Sequence, residues 1–210
     1  MFFLSSTKNH RNYWKHRKNW IEGYSSPAAL NHPHRKIIIE ALKSFSWHSL
    51  VEIGCATGPN LVNIVRQIPG HQVGGIDISA EAILAAEKIF KGGHFNVCPA
   101  DDIMMSDKSA DVALTDACLL YVGPLKIRKH LREIKRIARN HVVFCELHHE
   151  SLWRRWKLRL SRGYHAHNYI KLLESEGFYD IFMYKLKEQD WPGGDPWRNY
   201  GYVITARVPK

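Results

Sequence analysis

An open α/β sheet, mostly parallel and covered by helices on both faces, is the fold class this sequence predicts. Three observations carry it. From residue 49 onward, short apolar runs alternate with amphipathic stretches of helical period. The first run, Leu50 to Ile53, breaks at Gly54, and Gly58 follows just before an amphipathic stretch beginning at Leu61, which reads as strand, tight loop and helix. Acidic residues then stand at the ends of the second and third runs, Asp77 and the pair Asp101-Asp102. Glycines at such a junction permit positive φ and leave no Cβ in the way, so a ligand can approach the backbone and the helix's first N–H groups. The loop is not the dinucleotide fingerprint G-x-G-x-x-G, because Ala56 and Pro59 occupy two positions that would need glycine.

The 210 residues suit one domain with a full core. Apolar residues make up 45% and charged residues 24%, the balance of a soluble chain. No run approaches the roughly 18 apolar residues of a membrane span, so no membrane partner is expected. Met1-Phe2-Phe3-Leu4 is short and lacks the preceding positive region of a secretory signal, which makes the cytoplasm the expected location. Cys55, Cys98, Cys118 and Cys145 form no C-x-x-C pair, so reduced thiols and no metal site are expected. The net charge of +10 favours an anionic partner without choosing between nucleic acid, phosphorylated metabolite and a solvated surface.

Residues 8 to 24 are basic and aromatic together. Trp14, Arg17, Ile21 and Tyr24 recur at helical spacing, so the stretch reads either as a helix docking its aromatic edge on the core or as a lid over a ligand. Ser25-Ser26-Pro27 breaks it, and a helix over His34 to Phe45 follows, with Ile37, Ile38, Ala41, Leu42 and Phe45 inward. After the glycine loop, Leu61, Ile64, Val65 and Ile68 mark the buried face of a helix that Pro69-Gly70 ends. Gln72 to Ile78 is a strand, Ala80 to Phe90 a helix that Ser79 can cap, and His94 to Cys98 a third strand. Asp111 to Thr115 is a fourth strand and Asp116 to Tyr121 a loop or short turn. Pro124 then opens a helix with Leu125, Ile127, Leu131, Ile134 and Ile137 inward. His141 to Leu147, a fifth strand, leads into His148-His149-Glu150.

Ser151 to Arg162 is a second basic aromatic stretch, with Trp153, Trp156 and Leu160 at helical spacing. His167 to Glu176 is a further helix that Gly177 stops. Tyr179 to Leu186 and Tyr202 to Val208 are strands, the last able to return antiparallel to its predecessor. No low-complexity linker divides the chain, and the boundary drawn separates an N-terminal helical cap, residues 1–46, from a main domain, 47–210. Within that domain Asp77 lies about twenty residues past a glycine loop, at the tip of the second strand, where a carboxylate can accept hydrogen bonds from both hydroxyls of a ribose.

Taken together, Val51-Glu52-Ile53-Gly54-Cys55-Ala56-Thr57-Gly58, Gly75-Ile76-Asp77-Ile78-Ser79 and Ala100-Asp101-Asp102 resemble the first three signature blocks of class I S-adenosylmethionine-dependent methyltransferases. Ala56 stands where the first block usually has its middle glycine. The resemblance implies a three-layer αβα sandwich around a Rossmann-like, seven-stranded, mostly parallel sheet with an antiparallel last strand. It implies S-adenosylmethionine as cofactor and S-adenosylhomocysteine as product. Glu52 would orient the loop or reach the methionine amine, while Gly54, Cys55 and Gly58 bring the backbone against the methionine moiety. Asp77 would hold the ribose, and Asp102, slightly preferred over Asp101, would face the adenine. Tyr13, Ala56, Asn60 and Ile78 complete the implied cofactor surroundings, and Asp116 would lie near the sulfonium and the acceptor.

Methyl transfer from a sulfonium is an in-line displacement, so alignment supplies much of the rate enhancement. A base is needed for some acceptors, and the candidates are His148, His149 and Glu146 past the fifth strand and Tyr121 after the fourth. The two histidines read as well as a structural pair. An N-P-P-Y type block, the mark of amide or adenine N-methylation, is absent, since the stretch reads Thr115-Asp116-Ala117-Cys118-Leu119-Leu120-Tyr121. The reading is methylation of an oxygen or nitrogen of a small-molecule acceptor, anionic or sugar-bearing, with both basic aromatic stretches capping the cofactor. Its alternatives are a methyltransferase acting on RNA or protein and a noncatalytic S-adenosylmethionine-binding module.

Overall fold

The computed structural model describes residues 7–17 and 20–210; the apolar start of the chain and Lys18 of the first basic stretch lie outside them. Helices α1 (Thr7–His16), α2 (Ile21–Ser25), α3 (Pro27–Leu30) and α4 (His34–Lys43) precede the sheet. Alternation then begins with β1 (Ser49–Ile53), α5 (Pro59–Gln67), β2 (Gln72–Asp77), α6 (Ala80–Ile89) and β3 (His94–Val97). It continues through β4 (Ala110–Asp116), a 3₁₀ turn (Leu119–Tyr121), α7 (Ile127–Ile137) and β5 (Ala138–Leu147). The chain closes with α8 (Leu152–Arg162), α9 (Tyr169–Ser175), β6 (Tyr179–Lys185), α10 (Trp197–Tyr200) and β7 (Gly201–Arg207). Among the described residues no helix is long and apolar enough to cross a membrane.

The strands form one sheet in the order β3-β2-β1-β4-β5-β7-β6. β1 to β5 pair in parallel, and β7 runs antiparallel to both β5 and β6, as the expected terminal hairpin requires. Parallel neighbours need crossovers, and amphipathic helices supply them, burying the central strands on both faces. That burial is why β1 and β4 read as nearly unbroken apolar runs: of β4, Ala110 to Thr115 are all buried. One core layer joins Val51, Ile53 and Phe144 to Leu131 and Tyr169, and the other joins Leu50, Leu61 and Val143 to Ile38 and Leu42. Strand order reverses between β1 and β4, so a cleft opens at the carboxyl ends of those strands, the place where sheets of this type take ligands.

Several helix faces differ from expectation. Val65 is 42% exposed, since α5 buries Leu61 and Ile64 instead, and Leu125 is 98% exposed because α7 begins at Ile127 and leaves Pro124 and Leu125 in the turn before it. Trp153, Trp156 and Leu160 point to solvent, and Leu158 is the residue of α8 that reaches the core. The N-terminal stretch is two helices rather than one, so Trp14, Arg17, Ile21 and Tyr24 do not form a continuous stripe. Trp20, at the break, is buried instead, edge-on to Trp14 and Tyr24 and packed over Ala56 and Ala82.

Candidate functional site

A cavity of about 590 Å³ lies at the carboxyl ends of β1, β2 and β4, roofed by α1 and α2. Its floor is the loop after β1, where Gly54 (φ 75°), Ala56 (φ 50°) and Gly58 (φ 81°) are all left-handed. Gly54 and Cys55 donate their N–H groups to the Ile76 carbonyl at 2.8 and 3.0 Å, which draws the loop down onto β2. The glycines are also needed for packing, since a Cβ on Gly54 would stand 2.6 Å from Cys118 Sγ and one on Gly58 2.7 Å from the Phe90 ring. Ala56 takes the left-handed conformation without being glycine. Its N–H donates to Asp77 Oδ2 at 3.0 Å, which holds the strained turn in place.

Asp77 ends β2 and faces the cavity. Its other oxygen accepts from Ser79 N at 2.9 Å, and Ser79 in turn caps α6 by accepting from Ala82 N. Burial raises the Asp77 pKa, against the pull of the backbone donors at Ser79, Ala56 and Ile78. A carboxylate has about four acceptor positions, so these backbone N–H groups leave capacity for a further donor from the cavity.

Beside the loop lies a buried polar network that gathers β1, α4, α5 and β4. Asn60 Nδ2 donates to Glu52 Oε1 at 2.6 Å and to Asp116 Oδ2 at 2.9 Å. The same Asp116 oxygen meets His34 Nε2 at 2.8 Å and Arg35 Nη1 at 3.3 Å, and Arg35 also donates to Asn60 Oδ1. Burial alone would raise the Asp116 carboxyl, but His34 and Arg35 hold it well below the usual carboxylate range. Glu52, buried with no cation in direct contact, is pushed up to about 8. Asp116 Oδ1 and Glu52 Oε2 are buried without a hydrogen-bond partner. His34, Asp116 and Cys145 each bring a ligand atom within 4.8 Å of one another, but Arg35 already sits on the shared carboxylate, so a metal cation there would face a fixed positive charge.

On the side wall, His34 Nδ1 lies 2.5 Å from His32 Nδ1, and the His32 and His34 rings pack against Trp191 at 4.7 and 4.2 Å. His32 is lowered to about 4, by burial first and then by His34 and Arg35, and it lines the cavity. Tyr121 lines it too, with its hydroxyl raised by burial and by the nearby Tyr164.

Of the residues expected at the site, Gly54, Ala56, Asp77, Ile78, Asp116 and Tyr121 line the cavity. Glu52 and Asn60 stand behind that wall, joined to Asp116, while Cys55 and Gly58 act through the fold of the loop. Other expectations need correction. Tyr13 is 53% exposed and its ring meets Trp14 edge-on, so Trp14 and Trp20 form the roof in its place. Asp102 is exposed and does not line the cavity. Asp101 is occupied by Arg11 of α1 and by Lys129 at 3.7 Å, and the wall there is made by Cys98, Pro99 and Ala100.

Neither His148 nor His149 reaches the cavity. His148 is buried, accepts from Tyr169 N through Nδ1 and packs against Tyr202, and His149 Nδ1 accepts from Ser151 N at the start of α8. Glu146 is fully buried and accepts from Cys118, Leu119 and Leu120 N–H groups, which fixes the 3₁₀ turn. Sequence reasoning missed His32, His34, Arg35 and Trp191. The signal was His32-Pro33-His34-Arg35 opening a helix, three chemically active side chains at an end that must face something.

Residues 50–141 match the family model described as Methyltransferase domain. The match runs from β1 into β5, so this part of the chain is similar to a methyltransferase domain, and the seven-stranded, mostly parallel sheet has the Rossmann-like fold of solved methyltransferases. No curated protein matches the chain. Among solved structures, the Synechocystis PCC 6803 magnesium protoporphyrin IX methyltransferase, solved with bound S-adenosylhomocysteine, superposes with a TM-score of 0.68 at 13% identity, covering 97% of this chain and 99% of that one. A chain from the Haloferax volcanii complex between the Trm112 methyltransferase activator and a proposed methyltransferase gives 0.68 at 17% identity, over 91% and 96%. A Thermotoga maritima protein proposed as a histamine N-methyltransferase gives 0.64 at 17%, over 90% and 97%. At these identities the likeness is one of fold.

Proposed function

We propose that the chain binds S-adenosylmethionine in the roofed cavity and transfers its methyl group to an oxygen or nitrogen of a small-molecule acceptor. The carrying observation is the cavity itself. Its volume of about 590 Å³ lies in the range of small-molecule sites, and α1 and α2 close over it as part of an N-terminal helical cap, residues 1–46, on the 47–210 domain. The cofactor supplies an activated methyl group on a positively charged sulfur.

The residues present fit such a group. Asp77 retains acceptor capacity for ribose hydroxyls, and Ile78 with Cys98, Pro99 and Ala100 offers the flatter, less polar wall that an adenine requires. The unpartnered oxygens of Asp116 and Glu52 suit the ammonium of the methionine moiety, whose charge would favour loss of the Glu52 proton and satisfy buried oxygens that otherwise cost about 1–3 kcal/mol each. On the acceptor side, Asp116 orients His34 and His34 orients His32, which serves as the proton acceptor from an O–H or N–H acceptor at the cavity wall. Its lowered pKa keeps His32 neutral at pH 7 and able to take a proton. Arg17, on the cavity lining, favours an acceptor with a carboxylate or phosphate.

Titration calorimetry with S-adenosylmethionine and S-adenosylhomocysteine tests the binding step, and transfer of a labelled methyl group to a panel of carboxylated and phosphorylated hydroxy and amino compounds tests the chemistry. Binding with saturable transfer to a member of the panel is expected. No heat and no thermal shift with either compound would remove the reading.

A further inference from the structure

The second basic aromatic stretch does not belong to the cavity. In α8, Leu152, Trp156 and Leu160 stand one helical turn apart with Trp153 beside them, and they are 73%, 51%, 43% and 65% exposed. The Trp153 and Trp156 rings lie 5.3 Å apart on that edge. The helix holds five cations, Arg154, Arg155, Lys157, Arg159 and Arg162, and no acidic residue. It is fixed at both ends, by the Ser151 hydroxyl accepting from Arg154 N and by Gly163 in the left-handed conformation, and Leu158 seats it on the core. Its other flank borders a polar groove of about 420 Å³, where Arg154, Lys157 and Arg162 outnumber Asp195. Past its end, the Tyr164 ring meets Tyr121, a lining residue of the main cavity, at 5.7 Å.

A rigid helix that turns two tryptophans and two leucines to water, with cations on either side and no acid, has the makeup of an element lying in a bilayer interface. We infer that α8 docks the protein on an anionic lipid surface, with Leu152, Trp153, Trp156 and Leu160 entering the headgroup boundary and Arg154 and Lys157 meeting lipid phosphates. Leucines on the same edge separate this from a nucleic-acid surface, because bases stack on tryptophan but gain little from aliphatic side chains. The mode is peripheral and needs no spanning helix, of which there is none among the described residues. It stands independently of the methyl-transfer reading, and with it places the cavity mouth near the membrane.

The full chain would be cosedimented with vesicles of phosphatidylcholine, with and without phosphatidylglycerol, at low and high salt. Binding is expected to phosphatidylglycerol vesicles, weakening with salt, and negligible to phosphatidylcholine alone. The double variant Trp153→Ala, Trp156→Ala, at exposed positions and expected to keep the wild-type thermal melt, should bind at least about tenfold more weakly. Arg154→Ala and Lys157→Ala should each cost about fivefold. No binding to phosphatidylglycerol vesicles overturns the inference, as does binding indifferent to the two tryptophans. Oligouridylate binding that those tryptophans control, without vesicle binding, overturns it in favour of a nucleic-acid surface.

Discussion

Replacing Asp77 separates two tasks that the structure assigns to one carboxylate. Its oxygens accept Ala56 N at 3.0 Å and Ser79 N at 2.9 Å, and its remaining capacity faces the cavity. In Asp77→Ala both backbone donors lose their acceptor. Each lost bond costs about 1–3 kcal/mol if water does not replace it, and the cavity admits water, so a stability loss of about 2 kcal/mol is expected. The ribose hydroxyls would lose a charged acceptor, about 1.5–3 kcal/mol, which is roughly a 10- to 150-fold rise in the dissociation constant for S-adenosylhomocysteine. Asp77→Asn keeps one acceptor oxygen and should fall between wild type and alanine in both measures. Calorimetry gives the affinity, and denaturant unfolding the stability. A protein destabilised as expected but binding within twofold of wild type would show that Asp77 only pins the loop, and the ribose assignment would fail.

Three other outcomes follow from the same geometry. Glu52 is pushed from 4.5 up to about 8, so between those pH values the native state holds a proton that the unfolded chain releases, and stability falls as pH rises, by up to about 1.4 kcal/mol per unit. His32, His148 and His167, lowered to about 4, act with the opposite sign below their ordinary 6.5, so the Glu52→Gln variant should be compared with wild type from pH 6.5 to 8, where its stability should decline less steeply. Parallel curves there would contradict the buried neutral acid. Gly58→Ala combines φ 81° with a Cβ 2.7 Å from Phe90 and should lower unfolding free energy by about 2 kcal/mol or more; a loss within about 0.5 kcal/mol would mean the loop relaxes freely. His149→Ala should leave S-adenosylhomocysteine affinity unchanged and cost at most about 1 kcal/mol of stability, since its ring meets only the start of α8 and the Tyr200 ring, both away from the cavity.

The alternation of strands and helices was legible because two-sided burial writes itself as apolar runs, and the carboxyl-edge position of Asp77 followed from strand length alone. Which face of a helix meets the core was less legible. Periodicity locates an apolar edge without saying what covers it, and in α8 that edge meets solvent. Leu125 is exposed for another reason: a proline suits the first turn of a helix, but Pro124 belongs to the turn before α7. The largest omission, His32, His34 and Arg35, depends on a contact between α4 and β4 across 82 residues of sequence, which no local pattern encodes. Asp101 and Asp102 kept their place at the tip of the third strand, but Arg11 reaches across from α1 and pairs with Asp101, a contact that only the folded cap creates.

The placement of the cofactor is tested most directly by a crystal structure with S-adenosylhomocysteine. It should show the ribose hydroxyls on Asp77, the ammonium against the free oxygens of Asp116 and Glu52, and the sulfur open to the wall carrying His32. S-adenosylhomocysteine bound elsewhere, or in this cavity with its ribose away from Asp77, would contradict it.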